Sequence, residues 1–259
     1  MIETYTFHSG TTPLLISVPH DGRTLPGEIA STMTDAGRSI PDTDWHVAHL
    51  YEFANDIGAS VIRAEYSRYV VDLNRSADDE ELYSGRFGTG LCPTQTFHGQ
   101  EIYERGTEID MGERIAEYWQ PYHDKLEETL DALKHEYGAA LLWDAHSIAS
   151  QVPSLFDGEL PELNIGTWDN RSCNVGMTEA VLAAAGSGTY EVVANGRFKG
   201  GYITRHYGRP ARRVYAIQLE VAQRAYMNET TREYDEEKVA LLRGTLSHML
   251  EAYLESAGF

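Results

Sequence analysis

Two histidines stand at the ends of apolar runs in this chain: Leu14-Leu15-Ile16-Ser17-Val18-Pro19-His20 and Leu141-Leu142-Trp143-Asp144-Ala145-His146-Ser147. Runs of this kind read as buried strands, and ligands gather beyond the carboxyl ends of strands in open α/β sheets. Two imidazoles meeting there could hold a catalytic metal, and zinc in such a role takes three protein ligands and keeps a position for water. No local spacing marks the third: Arg23 lies three residues after His20, and no His-Glu-x-x-His occurs. The segment Asp42-Thr43-Asp44-Trp45-His46 offers two carboxylates and another imidazole. One aspartate is expected to cap the helix beginning there, leaving the other free to coordinate. Asp144 and Ser147 flank His146 and are placed to orient its ring.

A second signal is Glu220 in the otherwise apolar strand Tyr215-Ala216-Ile217-Gln218-Leu219-Glu220-Val221. A buried glutamate needs a cationic neighbour or a catalytic reason, and beside a reacting water it would be a general base with a raised pKa. A third signal is local charge. Between 197 and 213 lie Arg197, Lys199, Arg205, Arg209, Arg212 and Arg213, six of the chain's 21 basic residues, with no acid among them. Gly200, Gly201 and Gly208 in the same stretch let backbone approach a ligand closely. This reversal of sign predicts an anion site suited to carboxylates, which arginine grips in bidentate fashion.

The elements that must position these groups follow from periodicity and turn chemistry. Strands are expected at 12–20, 60–73, up to His146, 190–194 and 215–221. Helices are expected at 44–54, 111–136, 178–185 and 236–255. Residues 76–109, rich in Gly, Asp, Thr and Pro, predict a long functional loop over the site, and 151–176 an irregular stretch with a short strand. Strands alternating with helices argue for an α/β sheet covered on both faces, in one domain spanning 1–259.

Composition narrows the function. Forty acidic against 21 basic side chains leave a net charge of -19, which disfavours nucleic acid and anionic membranes as partners. No run approaches a membrane span and no leader pattern opens the chain, so a cytoplasmic protein is expected. Cys92 and Cys173 are too far apart in sequence for a Cys-x-x-Cys site and read as free thiols. With no Gly-x-Ser-x-Gly elbow, phosphate-binding loop or dinucleotide fingerprint, serine hydrolase and nucleotide chemistry drop out.

Several blocks together resemble one family. Val18-Pro19-His20-Asp21-Gly22, Asp42-Thr43-Asp44-Trp45-His46, Tyr66-Ser67-Arg68-Tyr69-Val70-Val71-Asp72-Leu73-Asn74-Arg75, Leu142-Trp143-Asp144-Ala145-His146-Ser147 and Asn195-Gly196-Arg197-Phe198-Lys199-Gly200-Gly201-Tyr202-Ile203-Thr204 are similar to the N-formylglutamate amidohydrolases. Those enzymes release formate and L-glutamate in histidine degradation. More distantly, Asp72-Leu73-Asn74-Arg75 resembles a block of the aspartoacylases and zinc carboxypeptidase-like hydrolases. The resemblance implies a phosphorylase/hydrolase-like three-layer α/β/α sandwich with a mixed sheet. It also implies one divalent metal ion, zinc by preference, on His20, Asp44 and His146, with Asp44 chosen over His46 and Asp42. In that frame Glu220 is the proton carrier and Arg68 stabilises the oxyanion. Asn74 and Arg75 bind one substrate carboxylate, and Arg205, with Arg197 or Lys199, the other. The partner implied is a small anionic substrate, N-formyl-L-glutamate, and the chain a monomer or small homo-oligomer. Related readings are an amidohydrolase for another N-acyl acidic amino acid, or a non-catalytic metal or dicarboxylate binder.

Overall fold

The computed structural model describes residues 3–79, 89–186 and 188–259. Seven strands form one mixed sheet: β1 (Tyr5–His8), β2 (Leu14–Val18), β3 (Ser60–Ala64), β4 (Ala140–Ile148), β5 (Leu163–Gly166), β6 (Val192–Ala194) and β7 (Val214–Ala222). Their spatial order is β1-β3-β2-β4-β7-β5-β6. β3, β2, β4 and β7 run parallel, β1 is antiparallel to β3, and β5 is antiparallel to β7. Every residue of β2 and β4 is buried, which is why both read as continuous apolar runs.

Side-chain alternation sends the two faces of these strands into separate cores. Leu15, Leu142 and Ala216 pack with Leu126, Leu130 and Leu133 of the helix Gln120–Tyr137. Ile16, Trp143 and Ile217 pack with Val181 of the helix Val175–Gly186 and with Leu242, Leu246 and Met249 of the helix Glu236–Ser256. The result is the expected three-layer α/β/α sandwich. On the first face, however, the apolar rows of β4 and β7 turn polar towards their carboxyl ends, at Asp144, His146, Gln218 and Glu220. That change places the site.

Three local expectations need correction. β1 carried no strong sequence signal, being a four-residue edge strand held by its pairing to β3. The strand expected over 60–73 ends at Ala64, and the apolar Tyr69-Val70-Val71 lies in a buried turn. Partners distant in sequence make that turn possible: Tyr103 Oη and Arg114 Nη1 donate to the Tyr69 carbonyl, and Arg114 also to that of Val70. With its carbonyls satisfied by side chains, the segment needs no strand ladder.

The third correction concerns the helix expected over 44–54. It is a short helix Val47–Leu50 followed by a 3-10 turn Glu52–Asn55, and neither Asp42 nor Asp44 caps it. Asp21 does so from outside, its Oδ2 accepting the Ala48 N–H at 3.0 Å. The helical stretch from 111 runs through a π-helical turn, Ile115–Trp119, into Gln120–Tyr137, and Gly138 ends it at φ 78°. The π turn presents Trp119, whose Nε1 donates to the Arg75 carbonyl at 2.9 Å. Of the loop expected over 76–109, residues 80–88 lie outside the described residues. Among the described residues no helix is long and apolar enough to cross a membrane.

Candidate metal and catalytic centre

His20 follows β2 by two residues, whereas His146 lies inside β4, which runs on to Ile148. Asp44 reaches them from the segment before the short helix. His20, Asp44 and His146 are all buried, and one ligand atom from each lies within 4.8 Å of the others. Both rings turn Nδ1 towards Asp44 Oδ2, at 3.8 Å for His20 and 3.1 Å for His146. Both rings turn Nε2 towards a further carboxylate: His20 to Asp72 Oδ1 at 2.7 Å, His146 to Asp144 Oδ2 at 3.0 Å. Each imidazole is thus backed by an aspartate, the arrangement that fixes ring orientation and raises basicity in metal-ligating histidines. Two Nδ1 atoms and a carboxylate oxygen converging in this way are a donor set that fits a divalent cation.

The electrostatics agree. Burial is the strongest influence on His20 and, with Arg68 beside it, holds its pKa below the usual imidazole value. Burial also opposes charge on His146, but Asp144 and Asp44 more than reverse it, so its pKa rises well above the ordinary value. For Asp44, burial is outweighed by His146, His20 and Arg68, and the carboxyl stays ionised below its usual range. A site that draws positive charge onto His146 is one where a cation can take that place.

Glu220 faces this cluster from β7. It stands opposite His146 in the ladder, Cα to Cα, and is 7% exposed. Burial, reinforced by Asp44 and Asp144, pushes its pKa up to about 8, so that it exchanges a proton near neutral pH. Arg68 closes the other side. Its Nη2 donates to Asp72 Oδ2 at 2.6 Å, its Nη1 lies 3.6 Å from Asp44 Oδ1, and Phe97 covers its guanidinium at 5.1 Å. Its buried Nε has no hydrogen-bond partner among the described residues.

A cavity of about 90 Å³ brings together His20, Asp44, Arg68, Asn74, Arg75, His146, Arg197 and Glu220, with Phe97, Ile148, Leu155 and Phe198 as its apolar wall. Asn74 is held by its own bonds: Oδ1 accepts the Ile203 N–H at 2.8 Å and Nδ2 donates to Asp144 Oδ2 at 3.3 Å. Arg75 donates to Thr89 through Nε and Nη2. Arg197 donates through Nε to the Leu155 carbonyl at 2.5 Å. Lys199 and Arg205 do not line the cavity; Lys199 pairs with Asp169 at 3.0 Å, and Arg205 Nε donates to the Gly200 carbonyl. A larger cavity of about 490 Å³ lies elsewhere, beside Arg23, His46, His49 and Arg63, and none of the predicted site residues lines it.

Sequence reasoning passed over three residues. Asp72 bonds Arg68 four residues before it, but its second bond, to His20, depends on the turn at 68–71. Gln218 carried a usable signal, since it shares the strand face of Glu220 two residues away. Phe97 comes from the long loop and carried none.

Comparison with known proteins gives a consistent picture. A family model described as N-formylglutamate amidohydrolase matches residues 12–227. An N-formylglutamate deformylase of Pseudomonas putida is 46% identical over 98% of this chain and 97% of its own length. That of Pseudomonas aeruginosa is 48% identical over the same shares. A crystal structure of an N-formylglutamate amidohydrolase from Ralstonia eutropha superposes with a TM-score of 0.82 at 27% identity, covering 97% of each chain. A protein from Agrobacterium tumefaciens, at 16% identity and a TM-score of 0.74 over 96% of this chain and 95% of its own, shares the fold.

Proposed function

The chain belongs to the N-formylglutamate amidohydrolase family, and on that premise we propose that it hydrolyses the formamide bond of N-formyl-L-glutamate to formate and L-glutamate. The reaction would serve histidine degradation in the cytoplasm, carried out by a single catalytic domain. The observation that carries this reading is the pairing of two aspartate-backed histidines and Asp44 with a buried glutamate, in a cavity that arginines enter.

His20, Asp44 and His146 would hold one divalent ion, zinc by preference. When bound, it supplies Lewis acidity that makes a water a nucleophile near neutral pH and polarises the formyl oxygen. Glu220 removes a proton from the attacking water as the water oxygen bonds to the formyl carbon. Arg68 lies against the oxyanion that develops there, where a comparable donor contributes about 3–4 kcal/mol. The carbon–nitrogen bond then breaks as Glu220 delivers its proton to the leaving nitrogen, which leaves formate and a free amine. Arg75, with Asn74 holding its loop, and Arg197 receive the two substrate carboxylates, whereas Arg205 and Lys199, outside the cavity, hold the segment that carries Arg197.

The test is formate release from N-formyl-L-glutamate by the purified protein before and after chelation. Release abolished by the chelator and restored by zinc is the expected outcome. Absence of release under all three conditions would remove the reading.

A further inference from the structure

Gln218 does work that neither strand pairing nor packing requires. It is buried on β7 two residues before Glu220, on the same strand face and opposite Asp144 in the ladder. Its Oε1 accepts the Gly201 N–H at 2.7 Å, and its Nε2 donates to Glu220 Oε2 at 3.3 Å. The first bond decides the second, because an amide whose oxygen faces a backbone N–H must turn its nitrogen the other way. Asn74 repeats the pattern, its oxygen on the Ile203 N–H and its nitrogen facing His146 Nε2 at 2.9 Å and Asp144 Oδ2 at 3.3 Å. Two buried amides therefore hold the segment 201–203 by its backbone and, by their nitrogens, Glu220 on one side and the Asp144–His146 pair on the other. The fit is close: a Cβ on Gly201 would stand 2.4 Å from Asn74 Nδ2.

We propose that Gln218 is a positioning residue that fixes the Glu220 carboxylate and ties it to the glycine segment following Arg197, so that substrate seating and proton transfer share one geometry. The proposal rests on the function given above for its kinetic part only. Through Gln218, strand β7 bonds the backbone of Gly201 at the point where the carboxylate needs its orientation. Proton transfer demands a carboxylate oxygen within hydrogen-bond reach of the water it deprotonates, and a rotating carboxylate loses that.

Two substitutions separate the two bonds. Q218E keeps an acceptor for the Gly201 N–H but replaces the donor facing Glu220 with a second carboxylate oxygen. Q218M removes both. The measurements are kcat and KM for formate release and, independently of substrate, hydrogen exchange of the Gly201 amide. For Q218E we expect kcat to fall at least tenfold with KM within twofold and Gly201 protection retained. For Q218M we expect the same loss of kcat, a raised KM and at least tenfold faster exchange at Gly201. Wild-type kcat in a folded Q218E protein overturns the proposal, as does unchanged Gly201 exchange in Q218M. If Q218E does not fold, Q218M decides alone: kcat within twofold of wild type overturns the proposal and a tenfold fall supports it. A wild-type protein that releases no formate defeats the functional reading, whereas the exchange result still judges the tie between Gln218 and Gly201.

Discussion

His146 and Glu220 occupy one rung of the ladder between β4 and β7, Cα opposite Cα, on the face where both strands change from apolar to polar. Parallel pairing with side chains of equal parity means that a single register sets the imidazole and the carboxylate against each other. A one-residue slip of β7 would send Glu220 to the opposite core, where Trp143 and Ile217 lie, and leave His146 behind. The register is therefore secured by the whole apolar length of both strands, and the geometry of this pair is a consequence of core packing.

From that placement comes the first prediction. Glu220→Gln keeps the size and the burial but cannot accept a proton, and general acid–base residues contribute roughly 10²- to 10⁴-fold. The variant should lose kcat in that range with KM within a few-fold and an unaltered metal content. A kcat within tenfold of wild type would move the proton-carrying role elsewhere.

Asp144 should act on metal affinity instead. It accepts from Ser17 Oγ at 3.2 Å as well as from the His146 ring, so its carboxylate is held on both sides. Asp144→Asn should weaken divalent-ion binding by about 10- to 100-fold, as loss of a histidine's carboxylate partner does. Competition against a chromophoric chelator measures this directly, and His146→Ala should lose the ion altogether. Full retention of stoichiometric metal by His146→Ala would exclude it as a ligand.

The arginine-rich stretch gives a prediction by contrast. Arg197 lines the cavity, whereas Lys199, two residues on, is paired with Asp169 outside it. Arg197→Ala should raise KM for N-formyl-L-glutamate at least tenfold but change KM for a neutral formamide far less. Lys199→Ala should leave both within twofold. Equal effects of Arg197→Ala on the two substrates would show that it does not meet a carboxylate.

These residues also show where sequence is informative. Glu220 stands out because a carboxylate in an apolar strand has few explanations, and both histidines because they end or nearly end buried runs. The basic stretch 197–213 was legible as a charge reversal but not as a geometry: the short helix Tyr202–Tyr207 carries Arg205 away from the cavity that Arg197 enters. Asp72 was hidden for another reason. Its approach to His20 needs a buried turn whose carbonyls are satisfied by Tyr103 and Arg114, over thirty residues along the chain. No local pattern encodes a turn stabilised from that distance. By residue type Asp42 and Asp44 share the readings of helix cap and ligand, and only the contact of Asp21 with Ala48 shows that the cap comes from elsewhere.

His123 lies outside the His20–Asp44–His146 cluster and bears on stability. His123 is buried against Trp119, with ring centroids 3.7 Å apart, and its Nε2 donates to the Leu73 carbonyl at 2.9 Å, one residue before Asn74. Burial drives its pKa down to about 3 from an ordinary 6.5, with the Leu73 carbonyl only partly opposing. The folded protein thus holds His123 neutral at a pH where the unfolded chain protonates it. The contribution is fully present above pH 6.5 and is lost progressively as pH falls towards 3, with a slope approaching one proton, about 1.4 kcal/mol per pH unit. His123→Gln retains a donor for Leu73 without a titrating ring. It should be less stable than wild type at pH 7.5, and the gap should narrow steadily between pH 6 and 4 in denaturant titrations. A gap that stays constant over that interval would mean that His123 takes up its proton in the folded state as readily as in the unfolded chain.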